Sequence, residues 1–170
     1  MRRSFRDTIW FYKLAFVVTY SCLGLAFLLL LFCRFSVVRG NSMKPSLYDG
    51  NRLVLKRLSD PESEIRRFDV VIFRSPFDPE TDYIKRVVGL PGDRVWLAKG
   101  KLWINGKPTE EQFLHNDDLD TTGEVSVPKG HFFVLGDNRA ISSDSREFGC
   151  VPSDLLLGKV AVILPFFGRG

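Results

Sequence analysis

The chain has 170 residues and a formal net charge of +4, from 24 Lys and Arg against 20 Asp and Glu. That length holds one modest domain plus an anchor, and so mild a charge does not require a nucleic-acid partner. Of three cysteines only Cys150 lies outside the apolar N-terminal run, which excludes a disulfide-stapled soluble domain.

Residues 1–13 carry Arg2, Arg3, Arg6 and Lys13 and read as a cytoplasmic tail. Their "RRSFR" faintly resembles a twin-arginine export signal, and a cytoplasmic charge cluster is the simpler reading. Residues 14–33, "LAFVVTYSCLGLAFLLLLFC", contain no charge in twenty positions. A helix needs about 20 residues to cross the hydrocarbon layer. Trp10, Phe11 and Tyr12 precede the run as an interfacial aromatic belt would. The alternative is a removable signal peptide. The run exceeds the usual ~7–15-residue apolar region of such a signal and no small-x-small site follows it, so an uncleaved single-pass helix is expected. Arg34, Arg39, Lys44 and Arg52 follow soon after, so charge bias does not set the orientation.

Residues 34–170 show strand patterns: "RLVLKRL" (52–58), "DVVIF" (69–73), "YIKRVVGL" (83–90), "DRVWLAKGKLWINGKP" (93–108), "HFFVLG" (131–136) and "GKVAVILPF" (158–166). Breakers such as "SDPE", "SPFDPE", "LPGD" and "VPKG" separate them. "AKGK" followed by "NGKP" predicts a hairpin with a second turn close behind, and 93–130 reads as a hairpin and loop insertion. "LSDPESEIRRF" has room for one short helical turn. The expected class is mainly β behind an N-terminal transmembrane helix. The acidic stretch 110–124, with His115, Asp117, Asp118 and Asp120, fits no EF-hand or zinc spacing and reads as a solvated surface loop. No metal site and no cofactor motif is expected.

Three stretches are unusual: "GNSMKPSL" with Ser42, "YIKRVVGLPGD" with Lys85, and "GDNRAISSDSREFG" at 136–149. A serine nucleophile needs a base. The only histidines, His115 and His131, lack any motif that brings them to a serine, and no G-x-S-x-G elbow is present. Lys85 is the other candidate. An ordinary lysine titrates near 10.4, whereas a base should titrate near ~7–8, and desolvation can shift a buried lysine by ~3–5 units. In a strand Tyr83 and Val87 share its face. A lone lysine in such a setting more commonly snorkels to solvent, so the residues by themselves leave the choice of base open.

Taken together, the three stretches resemble the sequence boxes of type I signal peptidases, the membrane-bound Ser-Lys proteases that remove signal peptides. The nucleophile box, S-M-x-P-T-L, appears as Ser42-Met43-Lys44-Pro45-Ser46-Leu47, with Ser46 in the threonine position. The base box, K-R-V-x-G-x-P-G-D, is matched in full from Lys85 to Asp93. The last box appears as Gly136-Asp137-Asn138 leading to Ser142, Asp144, Ser145, Arg146, Phe148 and Gly149. "RFDVVIF" resembles an intervening R-G-D-V-V-x-F, with Phe68 replacing glycine. The similarity spans 38 to about 165 in the family's order.

The resemblance implies a β-rich catalytic domain over 34–170, related to the LexA-like Ser-Lys protease fold. It implies Ser42 as nucleophile, Lys85 as general base, Ser142 as the hydroxyl that orients the lysine, and Asp144 and Arg146 as a framework pair. Some relatives place an oxyanion-hole serine two residues before the nucleophile; here that position is Gly40. Val38, Met43, Leu47, Tyr83 and Ile84 match residues lining the pocket for the side chain before the scissile bond. The implied partners are preproteins carrying signal peptides and a lipid bilayer, with no obligate protein partner. The implied location is the bacterial cytoplasmic membrane, with the catalytic domain outside the cytoplasm. Ser42 lies eight residues after Arg34, a reach of about 28 Å at most, so it would work near the membrane surface. Phe35 and "LPFFG" offer either an apolar interfacial face or core. The competing readings are a mitochondrial inner-membrane signal protease, whose members typically lack a hairpin like 95–108, and a non-enzymatic membrane-tethered β module.

Overall fold

The computed structural model describes residues 5–114 and 120–164. It divides into two compact units, Met1–Cys33 and Arg34–Gly170.

The first unit is one helix, α1 (Phe5–Phe32). It begins well before the charge-free run and takes in Arg6, Asp7 and Lys13, because helical hydrogen bonding does not stop where hydropathy does. Its Ile9–Phe27 window has a mean hydropathy of 1.5 and none of it is buried within the protein. A helix that is apolar on all sides has no polar face to give to water. A lipid core satisfies it, since every backbone group is already paired within the helix. It is long and apolar enough to cross a membrane.

The second unit is built from strands. In chain order they are β1 (Cys33–Val37), β2 (Arg52–Lys56), the short helix α2 (Pro61–Glu64), β3 (Val70–Arg74), β4 (Asp82–Gly89), β5 (Arg94–Ala98), β6 (Lys101–Ile104), β7 (Lys107–Thr109), β8 (Val125–Ser126), β9 (His131–Leu135), α3 (Ser145–Phe148), β10 (Val151–Pro152) and β11 (Leu156–Leu164). Seven strands make one sheet in the order β1-β2-β11-β3-β4-β9-β10, and four make a smaller one, β7-β6-β5-β8. The small sheet arises from the chain between β4 and β9, which pair directly with each other. Its two hairpins turn at Lys99-Gly100 and Asn105-Gly106, and all four of these residues have positive φ. These are the turns that "AKGK" and "NGKP" predict. α2 is the single turn expected in "LSDPESEIRRF": Pro61 opens it, and Glu64 accepts from the Ser59 and Asp60 amides at 2.8 and 3.0 Å. β1, β8, β10 and α3 carry no clear sequence signal: β8, β10 and α3 have two to four residues, and β1 continues directly from the apolar run of α1.

The core has three parts. Val88, Val95, Leu97, Leu102, Ile104, Val127, Phe133 and Leu135 join the small sheet to β4 and β9. Phe73, Val71, Val87, Phe132 and Val134 pack along the middle of the large sheet. Val38, Met43, Leu47, Leu53, Leu55 and Ile72 form the third, under the turn that carries Ser42. The stretch 110–124 is not wholly a solvated loop. Glu111 and Phe113 turn inward, Glu111 onto Arg139 and Phe113 onto Phe68 with ring centroids 5.3 Å apart. Asp120 pairs with Arg146. His115, Asp117 and Asp118 lie outside the described residues, as do the phenylalanines of "LPFFG".

Gly89 sits where the two sheets meet. A Cβ there would fall 2.8 Å from both Phe133 Cβ and Val95 Cγ2. Gly89→Ala is expected to lower stability by about 1–3 kcal/mol through overpacking, read as a fall in thermal midpoint, while a Gly24→Ala control in α1, where a Cβ meets nothing within 4 Å, leaves it unchanged.

Candidate active site

Ser42 stands in a turn between β1 and β2. The turn is closed by Lys44 N donating to Asn41 O at 3.2 Å and Leu47 N donating to Met43 O at 2.9 Å. Met43 and Leu47, each 1% exposed, pin it into the core below. The apolar residues of "SMKPSL" thus act as anchors, and the serine is left on the outer side.

β4 brings Lys85 to it. Register with β3 sets Lys85 beside Val71 and Tyr83 beside Phe73, so the lysine shares its face with Tyr83 and Val87, as alternation requires. It does not snorkel: Lys85 is 4% exposed. Its Nζ donates to Ser42 Oγ at 2.9 Å and to Ile84 O at 3.1 Å, and it lies 5.3 Å from the Tyr83 ring centre. Burial pushes its pKa down to about 8, against an upward pull from Asp144 and Asp137. At pH 7 about a tenth of such lysines are neutral, against roughly one in 3,000 for an ordinary one.

The third stretch wraps the nucleophile from the other side. Asn138 N donates to Ser42 O at 2.9 Å, and Asn138 Nδ2 to Asn41 O at 3.3 Å. Gly136 lets this happen: a Cβ on it would fall 2.7 Å from Ser42 O and 2.2 Å from Ser142 Oγ. Asp144 is fully buried. It accepts from Gly136 N at 3.0 Å, and from Arg146 Nε and Nη2 at 2.8 and 2.9 Å. Arg146 Nη2 also reaches the carbonyls of Arg139, at 2.6 Å, and Ser142. Asp144 and Arg146 therefore brace the segment that touches Ser42 and do not touch Ser42 themselves. A second fork lies alongside: Arg86 grips Asp137 through two hydrogen bonds of 2.8 and 2.6 Å, and also donates to Ser46 Oγ at 3.2 Å and Phe68 O at 2.8 Å. One guanidinium thus ties together the nucleophile turn, the lysine strand and the last box.

Beside the dyad opens a cleft of about 680 Å³, walled by Ser36–Ser42 on one side and Glu80–Lys85 on the other, with Leu53, Ile72, Ile141 and Ser143 also lining it. Of the residues matched to the pocket, Val38, Tyr83 and Ile84 line this cleft, and Gly40 lines it too. Met43 and Leu47 do not; they are buried in the core beneath. Leu53 and Ile72 take the floor instead, and their ordinary strand context gave no signal for this. Ser142 sits against Gly136 at the nucleophile's carbonyl, but its Oγ is buried without a hydrogen-bond partner, so the expected bond to Lys85 is not formed in this structure. Gly40 has φ +88, and its N–H is taken by Asp49 Oδ1 at 2.8 Å. A Cβ there would meet nothing within 4 Å; what resists a serine is the backbone angle. The Ser42 amide engages no acceptor among the described residues. His131 opens β9, five residues before Gly136, where its Nδ1 meets Lys129 O at 2.9 Å. Among the described residues no three His, Cys, Asp or Glu converge as metal ligands would.

The serine–lysine hydrogen bond is thus part-buried at the edge of a strand-lined cleft. Residues 10–165 match the family described as "Signal peptidase, peptidase S26". The chain belongs to this signal peptidase family. It is 42% identical over 138 residues to signal peptidase I of Bacillus caldolyticus, covering 73% of this chain and 75% of that one. It is 38% identical to signal peptidase I V of Bacillus subtilis strain 168, over 73% and 81% of the two chains. In three dimensions it is similar to a signal peptidase I of Enterococcus faecalis V583, with a TM-score of 0.53 and 32% identity over 58% of this chain and 97% of that one. Membership sets aside the non-enzymatic module: this signal peptidase is an enzyme.

The burial of Lys85 carries a stability cost of known sign. Its folded pKa, about 8, lies below the ordinary value of 10.5. The unfolded chain then holds more protons between those values, and stability rises with pH across that window. Lys85→Met keeps the stem and removes the buried charge. The variant is expected to be more stable than the parent at pH 7 by up to about 3 kcal/mol, with the gap closing as pH rises from about 8 toward 10.5. Chemical denaturation at pH 7 and pH 10 measures both.

Proposed function

We propose that the chain is a membrane-anchored type I signal peptidase that cleaves signal peptides from exported preproteins through a Ser42–Lys85 dyad. The observation that carries the proposal is the 2.9 Å hydrogen bond from Lys85 Nζ to Ser42 Oγ in a setting whose burial lowers the amine's pKa to about 8. Neutral Lys85 takes the Ser42 proton as Oγ attacks the scissile carbonyl, the resulting ammonium gives a proton to the leaving amine, and water releases the acyl group by the same two roles. The Ser42 N–H faces the developing oxyanion. With no hydroxyl at position 40, that stabilisation rests on backbone. Gly136, Asp144 and Arg146 keep the carbonyl side of Ser42 fixed while Oγ reacts, and Ser142 closes the same corner. The apolar helix α1 supplies the anchor. The topology is a cytoplasmic tail over 1–13, a single span, and a catalytic domain over 34–170 outside the bacterial cytoplasmic membrane, where precursors emerge still held by their own signal segment. Two molecules held in one plane meet at raised effective concentration.

Purified protein in detergent, given a secretory precursor, is expected to release the mature chain with its native N-terminus. Ser42→Ala and Lys85→Met abolish this, and His131→Ala does not. The rising limb of kcat against pH sits near 8, because Lys85 must lose its proton. A limb near 10, or turnover surviving in Ser42→Ala, contradicts the dyad.

Specificity follows from the cleft. Val38, Tyr83 and Ile84 with Leu53 and Ile72 line it. The peptide lies extended beside these edges, its backbone paired and alternate side chains turned inward. These bulky apolar side chains favour alanine before the scissile bond. Forcing in a larger side chain costs typically ~1–3 kcal/mol, a loss of about 5- to 150-fold. Rates for precursors carrying Ala, Ser, Val, Leu or Phe at that point are expected to fall in order of size.

A further inference from the structure

Arg139 follows the Gly136-Asp137-Asn138 box and is 3% exposed. Its Nε donates to Gly136 O at 3.2 Å, which ties it to the glycine that packs on Ser42 O and Ser142. Its Nη2 pairs with Glu111. Glu111 lies two residues after β7, the edge strand of the small sheet. The two side chains are 1% and 3% exposed, so neither charge is shared with solvent. A guanidinium so buried needs a carboxylate. Glu111 is the only ion-pair partner Arg139 has among the described residues. Its other terminal nitrogen, Nη1, is buried with no hydrogen-bond partner, so Glu111 has no understudy.

Four charges alternate across this seam: Arg86, Asp137, Arg139 and Glu111. Arg86 and Asp137 form the fork described above. Glu111 faces Arg139, Asp137 and Arg86, and burial pushes its carboxyl up. Lys85 in turn faces Asp144 and Asp137, with the Tyr83 ring on its own strand. The set is neutral only while Glu111 is ionised. Without that charge, Arg139 is left as an uncompensated cation beside Asp137, one of the two carboxylates that support the Lys85 ammonium.

We infer that Glu111 is a positioning residue for the peptidase: paired with Arg139, it holds the Gly136–Ser142 segment against the nucleophile and keeps the charge around the lysine balanced. This rests on the Ser42–Lys85 reading. It gives the segment after β7 a part in catalysis although no strand of the small sheet lines the cleft. Losing the pair shifts a segment in direct contact with Ser42, and a small misplacement of reacting groups can cost up to roughly 100-fold in rate.

The test uses full-length protein in detergent with a secretory precursor, measuring kcat, KM and the pH–rate profile well below the melting midpoint. Glu111→Gln keeps an acceptor for Arg139 but removes the charge. It is expected to lower kcat by roughly 10- to 100-fold with KM within about twofold, and to move the rising limb to lower pH because a net positive neighbour disfavours the lysine ammonium. Glu111→Asp restores part of kcat and returns the limb toward the parent position. Arg139→Lys keeps the charge but loses the Nε bond to Gly136 O, and is expected to lower kcat with the limb unmoved; it serves as the second reading should Glu111→Gln fail to fold. An unchanged kcat and pH limb in a folded Glu111→Gln, or an unchanged kcat in Arg139→Lys, overturns the inference, whatever happens to the melting midpoint. Ser42→Ala run in parallel separates the two levels: residual turnover there defeats the dyad, whereas dyad-dependent activity indifferent to Glu111 defeats only the role given to Glu111.

Discussion

Lys85 has to be dry and yet within reach of Ser42, and much of the structure follows from that constraint. An amine in water holds its proton at neutral pH and cannot serve as a base. Removing water lowers its pKa but costs free energy that the rest of the domain must offset. The strand β4 sits fifth of seven in the large sheet, between β3 and β9, where both neighbours keep water from its backbone. Val87 at 0% exposure and the Tyr83 ring cover the stem. Asp144 and Asp137 pull the other way, so the value settles near 8 and not lower. A lysine less buried would stay charged; one without those carboxylates would fold at greater cost to its ammonium form and would hold the leaving-group proton more weakly.

The same carboxylates are structural. Asp144 takes the Gly136 amide and the Arg146 fork, and Asp137 takes the Arg86 fork. Neither is left as a bare buried charge, which would be costly. The Arg86 fork joins the nucleophile turn, the lysine strand and the last box, the Arg146 fork braces the last box, and Arg139 with Glu111 extends the chain of charges to the segment after β7. Electrostatic support for the base and mechanical support for the nucleophile are therefore carried by the same side chains, and changing one is expected to disturb the other.

Phe68 shows how a departure from the family's sequence is absorbed. Its position adopts φ +72, a left-handed conformation that costs a side-chain-bearing residue about 1–2 kcal/mol and explains why glycine suits the box. Here the ring packs edge-on against Phe113, and Phe113 also lies under Arg86 at 4.0 Å. Aromatic contacts of these kinds are worth about 0.5–1.5 kcal/mol each, enough to offset much of the strain. The inward turn of Phe113 and Glu111 is also why an acidic stretch that looks solvated by composition is partly core.

By itself the sequence determined the apolar anchor, the larger strands, the turn chemistry at Gly100 and Gly106, and the three boxes in their order. These are local: hydropathy runs, period-two alternation, positive-φ turns and short motifs are properties of neighbours in the chain. The depth to which Met43 and Leu47 are buried, the choice of Leu53 and Ile72 for the cleft floor, the open hydrogen-bond valence of Ser142 and the pairing of Glu111 with Arg139 were decided only by the tertiary structure. Each depends on residues far apart in the chain, such as Ser42 and Lys85, 43 positions apart, or Glu111 and Arg139, 28 apart. Alternation fixes which face of a strand a residue takes, but what stands opposite is fixed by how sheets pack. Whether Lys85 snorkels or stays buried is a question about that opposite side, and packing answers it by leaving the lysine 4% exposed with its amine on Ser42 Oγ.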